Sequence, residues 1–181
     1  MRQIAMLLDI CQNSAEVSWE IERLKDQPVN DHLSLSIAIL RRTFPLQRFR
    51  TIVPQTLHVF HNEAKDSDSY KALRRGINEA LRSSDKLFLP IHCPPTWVPE
   101  GSETPHPDGH WALLVLESSG QVRYYETLNE ENGVCLQRAR EITAAAGLNP
   151  ELVKRQNKFR QAGTDCGWWV LHSVEVEVIL I

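Results

Sequence analysis

The chain has 181 residues, of which 42% are hydrophobic and 24% are charged, and its formal net charge is −3. A chain of this length suits one domain, which we expect over residues 1–181, with a core large enough to fold without metal or disulfides. The composition excludes a wholly disordered chain. The acidic balance argues against a nucleic-acid partner, and the sequence contains no apolar run long enough to span a membrane.

The first half of the chain is predicted to be mostly helical. Asn30-Asp31 supplies good N-cap residues for an apolar helix, which Phe44-Pro45 closes. The β-branched and apolar residues of Thr51–Phe60 predict a strand. A second helix is predicted from Ser67 to Ser83 because its apolar residues recur at three- and four-residue steps. These residues are Tyr70, Leu73, Ile77, Ala80 and Leu81.

The middle of the chain predicts a sheet. Lys86–His92 has the composition of a buried strand, and Trp111–Leu116 is apolar on both faces, as a central strand is. Glu117–Gly120 predicts a turn, after which Gln121–Tyr125 returns as the next strand. The loop between Lys86–His92 and Trp111–Leu116 covers Cys93–Gly109 and contains five prolines and two glycines. Loops of this length are often functional.

The last third predicts a helix over Gln137–Ala146, ended by Gly147, and a strand over Leu152–Phe159. The sequence of the C-terminal segment is compatible with a strand and with a helix. Val174–Val178 alternates valine with glutamate, as a strand does, but valines spaced by four residues also form a helical stripe. We favour a helix that begins near Cys166.

The cysteines are scattered and form no CxxC pair; they are Cys11, Cys93, Cys135 and Cys166. They are too sparse for a disulfide scaffold, so free thiols in a reducing compartment are favoured over two bridges. The N-terminal apolar run has neither a basic head nor a small-residue cleavage site, which disfavours a signal peptide. We therefore expect an intracellular protein, cytoplasmic or nuclear, and leave open its delivery into a host cell.

A histidine and a glutamate are expected to meet across the predicted hairpin. A turn centred near Ser118-Ser119 places His110 opposite residue 126 or 127. Glu126 can then accept the imidazole N–H and stabilise the protonated ring. A lone histidine at a strand start is usually structural, so this pair gains weight only beside a nucleophile.

The candidate nucleophile is Cys166, within Gly163-Thr164-Asp165-Cys166-Gly167. At a helix N-terminus the positive end of the helix dipole and the unpaired amides favour a thiolate. Attack on a carbonyl also needs an oxyanion hole, for which the Cys166 amide and the Gln161 side chain are candidate donors. A cysteine flanked by glycine and tryptophan is more often a core residue, so the argument depends on the combination of motifs.

The combination resembles the ubiquitin-like-protein proteases, the cysteine peptidases that include the SUMO-specific proteases and the adenoviral protease. Their motif series reads here as Leu89-Pro90-Ile91-His92, His110-Trp111-Ala112-Leu113, Tyr125-Glu126-Thr127-Leu128, Gln161 and Asp165-Cys166-Gly167. The resemblance spans about residues 24 to 175. The acid is a glutamate, as in the adenoviral branch and some bacterial effectors, whereas the SUMO proteases use aspartate.

The resemblance implies a papain-like α+β fold, with a central mixed sheet flanked by helices. It implies a thiol protease or isopeptidase that cleaves after the C-terminal Gly-Gly of ubiquitin or a ubiquitin-like modifier, with that modifier and its conjugates as partners. It implies roles as general base, orienting acid, nucleophile and oxyanion donor for His110, Glu126, Cys166 and Gln161. Trp111 would wall the tunnel that admits Gly-Gly, and Asp165 and Gly167 would complete the substrate contacts.

Three alternatives remain open. Related bacterial effectors use the same triad as acetyltransferases, although we see no convincing basic pocket here for the phosphates of acetyl-CoA. A catalytically inactive relative would only bind a modifier, which the complete set of catalytic residues disfavours. A zinc site would use His92, Cys93, His106 and His110, but the spacing of these ligands is poor. We therefore expect neither a metal nor a cofactor.

Overall fold

The structure, a computed structural model, describes residues 38–52, 57, 63–93, 110–126, 133–154 and 166–179. Within these ranges the strands are β1 (Phe49–Thr51), β2 (Lys86–Cys93), β3 (His110–Glu117) and β4 (Val122–Tyr125). The α-helices are α1 (Asp68–Ser83), α2 (Val134–Ala145) and α3 (Cys166–Ile179). Residues 38–43 are also helical, and Pro150–Leu152 form a 3₁₀ helix.

The strands form one mixed sheet in the order β1-β2-β3-β4. β1 runs parallel to β2, whereas β2, β3 and β4 are successively antiparallel. The strand predicted over Thr51–Phe60 is wrong, because the strand ends at Thr51 and Leu57 is helical. β1 begins earlier because Phe49 packs edge-on against Phe88 of β2, with ring centroids 5.7 Å apart.

Helices α1 and α2 cover one face of the sheet. Ser67 caps α1 by accepting a hydrogen bond from the Tyr70 amide at 3.2 Å. The apolar stripe of α1 buries Leu73 and Ile77 against the sheet, as its periodicity predicts. α2 starts at Val134, three residues before the predicted start, and ends at Ala145, just before the left-handed Gly147 at φ +79°.

Helix α3 covers the opposite face and resolves the ambiguity of the C-terminal segment. Val170, Val174 and Val178 form its buried stripe and belong to the same core cluster as Leu113 of β3. Strand β3 is therefore buried from both sides, which its continuous apolar sequence predicts. Together these layers make the α+β architecture, a central mixed sheet flanked by helices, that was expected.

The predicted strand over Leu152–Phe159 does not begin as proposed, because Leu152 ends the 3₁₀ helix and residues 153 and 154 are irregular. Residues 155–159 lie outside the described ranges. Among the helices that the structure describes, none has both the length and the apolar character needed to cross a bilayer.

Candidate active site

His110 lies at the edge where β3 begins. It faces Cys93, the last residue of β2, in the final pair of the β2–β3 ladder. Its side chain is buried, with 6% exposed. A histidine at this place is positioned by the backbone of a central strand and has little freedom to move.

Glu126 lies one residue beyond β4 and reaches His110 diagonally. Leu113 pairs with Tyr125, so the register continues to set Glu126 beside Ala112 and leaves His110 two residues further along β3. The Oε1 atom of Glu126 nevertheless lies 3.2 Å from Nε2 of His110. The contact between the two side chains is present, but the expected direct opposition is wrong.

The hairpin loop explains the shifted register. The Glu117 amide donates to the Gln121 carbonyl at 3.0 Å, so residues 118–120 form a three-residue loop rather than a two-residue turn. Gly120 takes a φ of +89°, which suits the left-handed position that closes such a loop. Diagonal positions on neighbouring strands lie about 7–8 Å apart. The side chain of Glu126 spans this distance to reach His110.

The second oxygen of Glu126 is also engaged. The hydroxyl of Tyr124 donates to Oε2 at 2.7 Å, and both side chains are buried. Tyr124 was not predicted as a site residue. Strand alternation could have indicated it, because alternate residues such as 124 and 126 lie on the same face of the sheet.

Cys166 is the first residue of α3, as expected, and is fully buried. Burial acts to lower the pKa of His110, but its hydrogen bonds to the side chains of Cys166 and Glu126, and the charges of both, raise that pKa to about 9. His110 therefore lies between the sulfur of Cys166 and the carboxylate of Glu126, and this position favours its protonated form. This is the chemical arrangement that a nucleophile, a base and an orienting acid require.

A small cleft of about 180 Å³ opens beside the sulfur. It is lined by Trp111, Tyr125, Glu126, Cys166, Trp169, Val170 and Ser173. Trp111 packs on His92, with ring centroids 4.6 Å apart. Trp169 and Ser173 were missed as lining residues, although helical spacing of three and seven residues from Cys166 sets them on its face.

Three further residues were predicted as site residues: Gln161, Asp165 and Gly167. Gly167 is the second residue of α3 and is buried. Gln161 and Asp165 lie outside the described residues.

Cys93 and Cys135 form a disulfide, with their Cα atoms 6.3 Å apart. The expectation of free thiols is therefore wrong for these two residues, whereas Cys166 is free. The register brings the end of β2 next to the start of α2, a proximity that a sequence separation of 42 does not reveal. The bridge lies directly beside the pair formed by His110 and Glu126.

Three residues around this disulfide are of types that can bind a metal ion. Donor atoms of His110, Glu126 and Cys135 lie within 4.8 Å of one another. Metal ligation by cysteine needs a thiolate, and the sulfur of Cys135 is bonded to Cys93 instead. The donors therefore fit an imidazole–carboxylate pair beside a disulfide better than a zinc site. Of the four ligands of the alternative zinc site, His106 lies outside the described residues.

Comparison with known proteins gives a consistent fold. The chain matches no protein-family model and no curated protein. The Xanthomonas campestris effector protein XopD bound to ubiquitin aligns with a TM-score of 0.65 and 18% identity, over 84% of this chain and 74% of that one. A Xanthomonas XopD mutant aligns with a TM-score of 0.63 and 17% identity, over 84% and 81% of the two chains.

A SUMO protease shares the architecture. The SUMO protease Ulp1, with its catalytic cysteine oxidised to a sulfinic acid, aligns with a TM-score of 0.50 and 16% identity, over 80% of this chain and 63% of that one. The chain therefore has the α+β fold of the ubiquitin-like-protein-specific cysteine proteases, as its motifs predicted.

Proposed function

We propose that this chain, as a single catalytic domain, is a thiol protease or isopeptidase acting on ubiquitin or a ubiquitin-like modifier. The observation that carries the proposal is the buried imidazole of His110 between the carboxylate of Glu126 and the thiol of Cys166 at the start of α3. Similar folds in XopD bound to ubiquitin and in the SUMO protease Ulp1 support the substrate class.

The chemistry begins with an ion pair. Oε1 of Glu126 lies 3.2 Å from Nε2 of His110, and Nδ1 is proposed to face the sulfur. His110 takes the proton of the Cys166 thiol, and the resulting thiolate attacks the carbonyl carbon of the scissile bond. The carbonyl π electrons move to oxygen and form a tetrahedral oxyanion, which the Cys166 amide stabilises, with Gln161 proposed as second donor.

The intermediate then collapses to a thioester. The C–N bond breaks as His110 donates its proton to the departing amine, and the amine product leaves. Water next attacks the thioester while His110 takes one of its protons, and collapse of this second intermediate releases the carboxylate product and the sulfur. Glu126 stabilises the imidazolium whenever it forms and keeps its own charge throughout.

The shape of the cleft supports a substrate without side chains at the scissile end. The rings of Trp111 and Trp169 line the cleft beside the sulfur. Two glycines pass through such a gap where larger residues would collide with the rings. Asp165 and Gly167 are proposed to contact the same strand of substrate.

A modifier substrate also implies action in the cytoplasm or nucleus, including those of a host cell.

A cleavage assay tests the proposal. Ubiquitin and SUMO that carry a short C-terminal extension after Gly-Gly are incubated with the wild-type chain and with Cys166→Ala, and products are weighed by intact mass spectrometry. We expect the wild type, and not the variant, to release a modifier that ends in Gly-Gly. Acetyl transfer from acetyl-CoA without cleavage of any modifier would contradict the proposal and support the acetyltransferase alternative.

A further inference from the structure

We propose that Tyr124 is a positioning residue that fixes the carboxylate of Glu126 for its diagonal contact with His110. This inference rests on the proposed function, because it concerns how the orienting acid of that reaction is oriented. It follows from three features of the hairpin: the register, the hydrogen bond of Tyr124, and the burial of both side chains.

The diagonal contact creates the need for a second support. Glu126 must extend across the position of Ala112 to reach His110, and a glutamate side chain has three rotatable bonds. β4 ends at Tyr125, so Glu126 lies just outside the paired residues of the strand. Without a second contact, the carboxylate would sample orientations in which Oε1 does not face the imidazole.

Tyr124 supplies that contact from a rigid position. It is a fully buried residue of β4, pairs with Leu114 in the ladder, and packs in the core that α1 and α2 cover. Its hydroxyl reaches Oε2 at 2.7 Å, so Oε1 is left to face His110. The donated proton also stabilises the ionised carboxylate, which in turn stabilises the imidazolium.

The neighbouring tyrosine shows that this arrangement is specific. Tyr125 follows immediately in β4, but its hydroxyl donates to Glu177 of α3. Alternate strand residues point to opposite faces, so the two hydroxyls serve two different buried carboxylates. The hydroxyl of Tyr124 thus binds the acid that pairs with His110, and the hydroxyl of Tyr125 binds a different one.

A double-mutant cycle separates positioning from general destabilisation. kcat and KM are measured for Tyr124→Phe, for Glu126→Gln and for the double variant, with Ile77→Val of α1 as a buried control remote from the cleft. We expect Tyr124→Phe to lower kcat about tenfold with KM within about twofold, because a hydrogen bond to a charged group is lost. In the Glu126→Gln background the same change should cost less than about twofold.

Two results overturn the inference. One is a kcat for Tyr124→Phe that matches that of Ile77→Val; the other is an equal loss in both backgrounds, which indicates a purely structural role. A measurement on the wild type covers the case in which Tyr124→Phe does not fold. We expect NMR to detect a slowly exchanging Tyr124 hydroxyl proton close to Glu126, and a freely exchanging one contradicts the inference.

Titration of His110 by NMR keeps the inference separate from the proposed function. It needs no substrate, so it applies even if the chain cleaves no modifier. We expect the pKa of His110 to be lower in Tyr124→Phe than in the wild type, because the carboxylate is then less well oriented and less stabilised. An unchanged value overturns the positioning role alone, whereas absent cleavage by the wild type overturns only the proposed function.

Discussion

A buried carboxylate lies beside each end of helix α3, and the two carboxylates have different partners. At its start, Glu126 pairs with His110 beside Cys166. At its end, Glu177 is equally buried and binds Lys86, whose Nζ lies 2.7 Å from Oε2 and also donates to the Glu177 carbonyl at 2.6 Å. One carboxylate thus faces a base that can exchange protons, and the other faces a fixed cation.

The different partners of the two carboxylates indicate different roles. Glu177 helps to hold α3 against the sheet, whereas Glu126 belongs to the proposed catalytic groups. Lys86 sits at the negative end of the helix dipole, where a cation stabilises the helix, and Arg123 contributes a further contact to Glu177 at 3.3 Å. Burial and the hydrogen bond to Glu177 raise the pKa of Tyr125, so its hydroxyl stays protonated. The C-terminal cluster therefore secures α3 to the sheet; it consists of Lys86, Arg123, Tyr125 and Glu177. The N-terminal cluster consists of His110, Glu126 and Cys166, the groups proposed to react.

The largest effect is expected at the nucleophile. Cys166→Ala removes the sulfur from the N-terminal cluster and leaves the C-terminal cluster intact. We expect turnover of a modifier substrate to fall by at least about 10⁴-fold, as for other nucleophile deletions, with a melting temperature close to that of the wild type. Retention of substantial turnover by the folded variant would show that another group carries the reaction.

A change at the orienting acid is expected to have the next largest effect. Glu126→Gln keeps the shape but removes the charge that stabilises the imidazolium, so kcat should fall about 10³-fold while KM changes little. Glu126→Asp sharpens the test. Because the register sets His110 diagonally from Glu126, the shorter side chain should fail to reach the ring and should lower kcat more than about tenfold.

These two variants should be compared in stopped assays under saturating substrate. Full activity of Glu126→Gln would mean that another group orients His110. Full activity of Glu126→Asp would contradict the diagonal contact, even if the charge itself proves necessary.

The C-terminal cluster should affect stability without affecting chemistry. Lys86→Met leaves Glu177 buried with fewer partners, and we expect the free energy of unfolding to fall by about 3 kcal/mol. The double variant Lys86→Met/Glu177→Leu should recover part of that loss, because no unpaired carboxylate stays buried, although Arg123 and Tyr125 lose their contacts to it. Urea unfolding gives the energies. A fall in kcat per folded molecule comparable to that of Glu126→Gln would contradict the division between the two ends.

The smallest effect is expected in the pH dependence of stability. The folded-state pKa of His110, about 9, lies above its ordinary value of 6.5. The stabilisation is therefore complete below pH 6.5 and is lost as the pH rises through about 9, by about 3 kcal/mol at most. Unfolding of the wild type and of His110→Gln should diverge at pH 6 and converge near pH 10. Parallel curves over this window would show that His110 gains no such stabilisation.

The sequence predicted those parts of the fold that depend on local pattern. The spacing of Leu73 and Ile77 defines α1, and the continuous apolar run of β3 identifies a central strand. The start of α3 at Cys166 followed from its flanking residues and valine stripe. These features need only periodicity and burial, which each segment carries by itself.

Other features depend on contacts between distant segments or on small geometric choices. The three-residue loop closed by Gly120 shifts the register, and with it the pairing of His110. The Cys93–Cys135 bridge joins residues that only the packed fold brings together. The role of Tyr124 depends on which carboxylate its hydroxyl reaches, a distance that strand alternation does not supply.

The most direct test of the triad is to label the nucleophile with a modifier. Ubiquitin and SUMO that bear a thiol-reactive group in place of the C-terminal glycine carboxylate are mixed with the wild type and with His110→Ala, and the adduct is mapped by peptide mass spectrometry. The triad predicts one adduct per wild-type chain, on Cys166, with at least one modifier, and far slower labelling of the variant. Labelling at a different cysteine, or equal rates with and without His110, would contradict it.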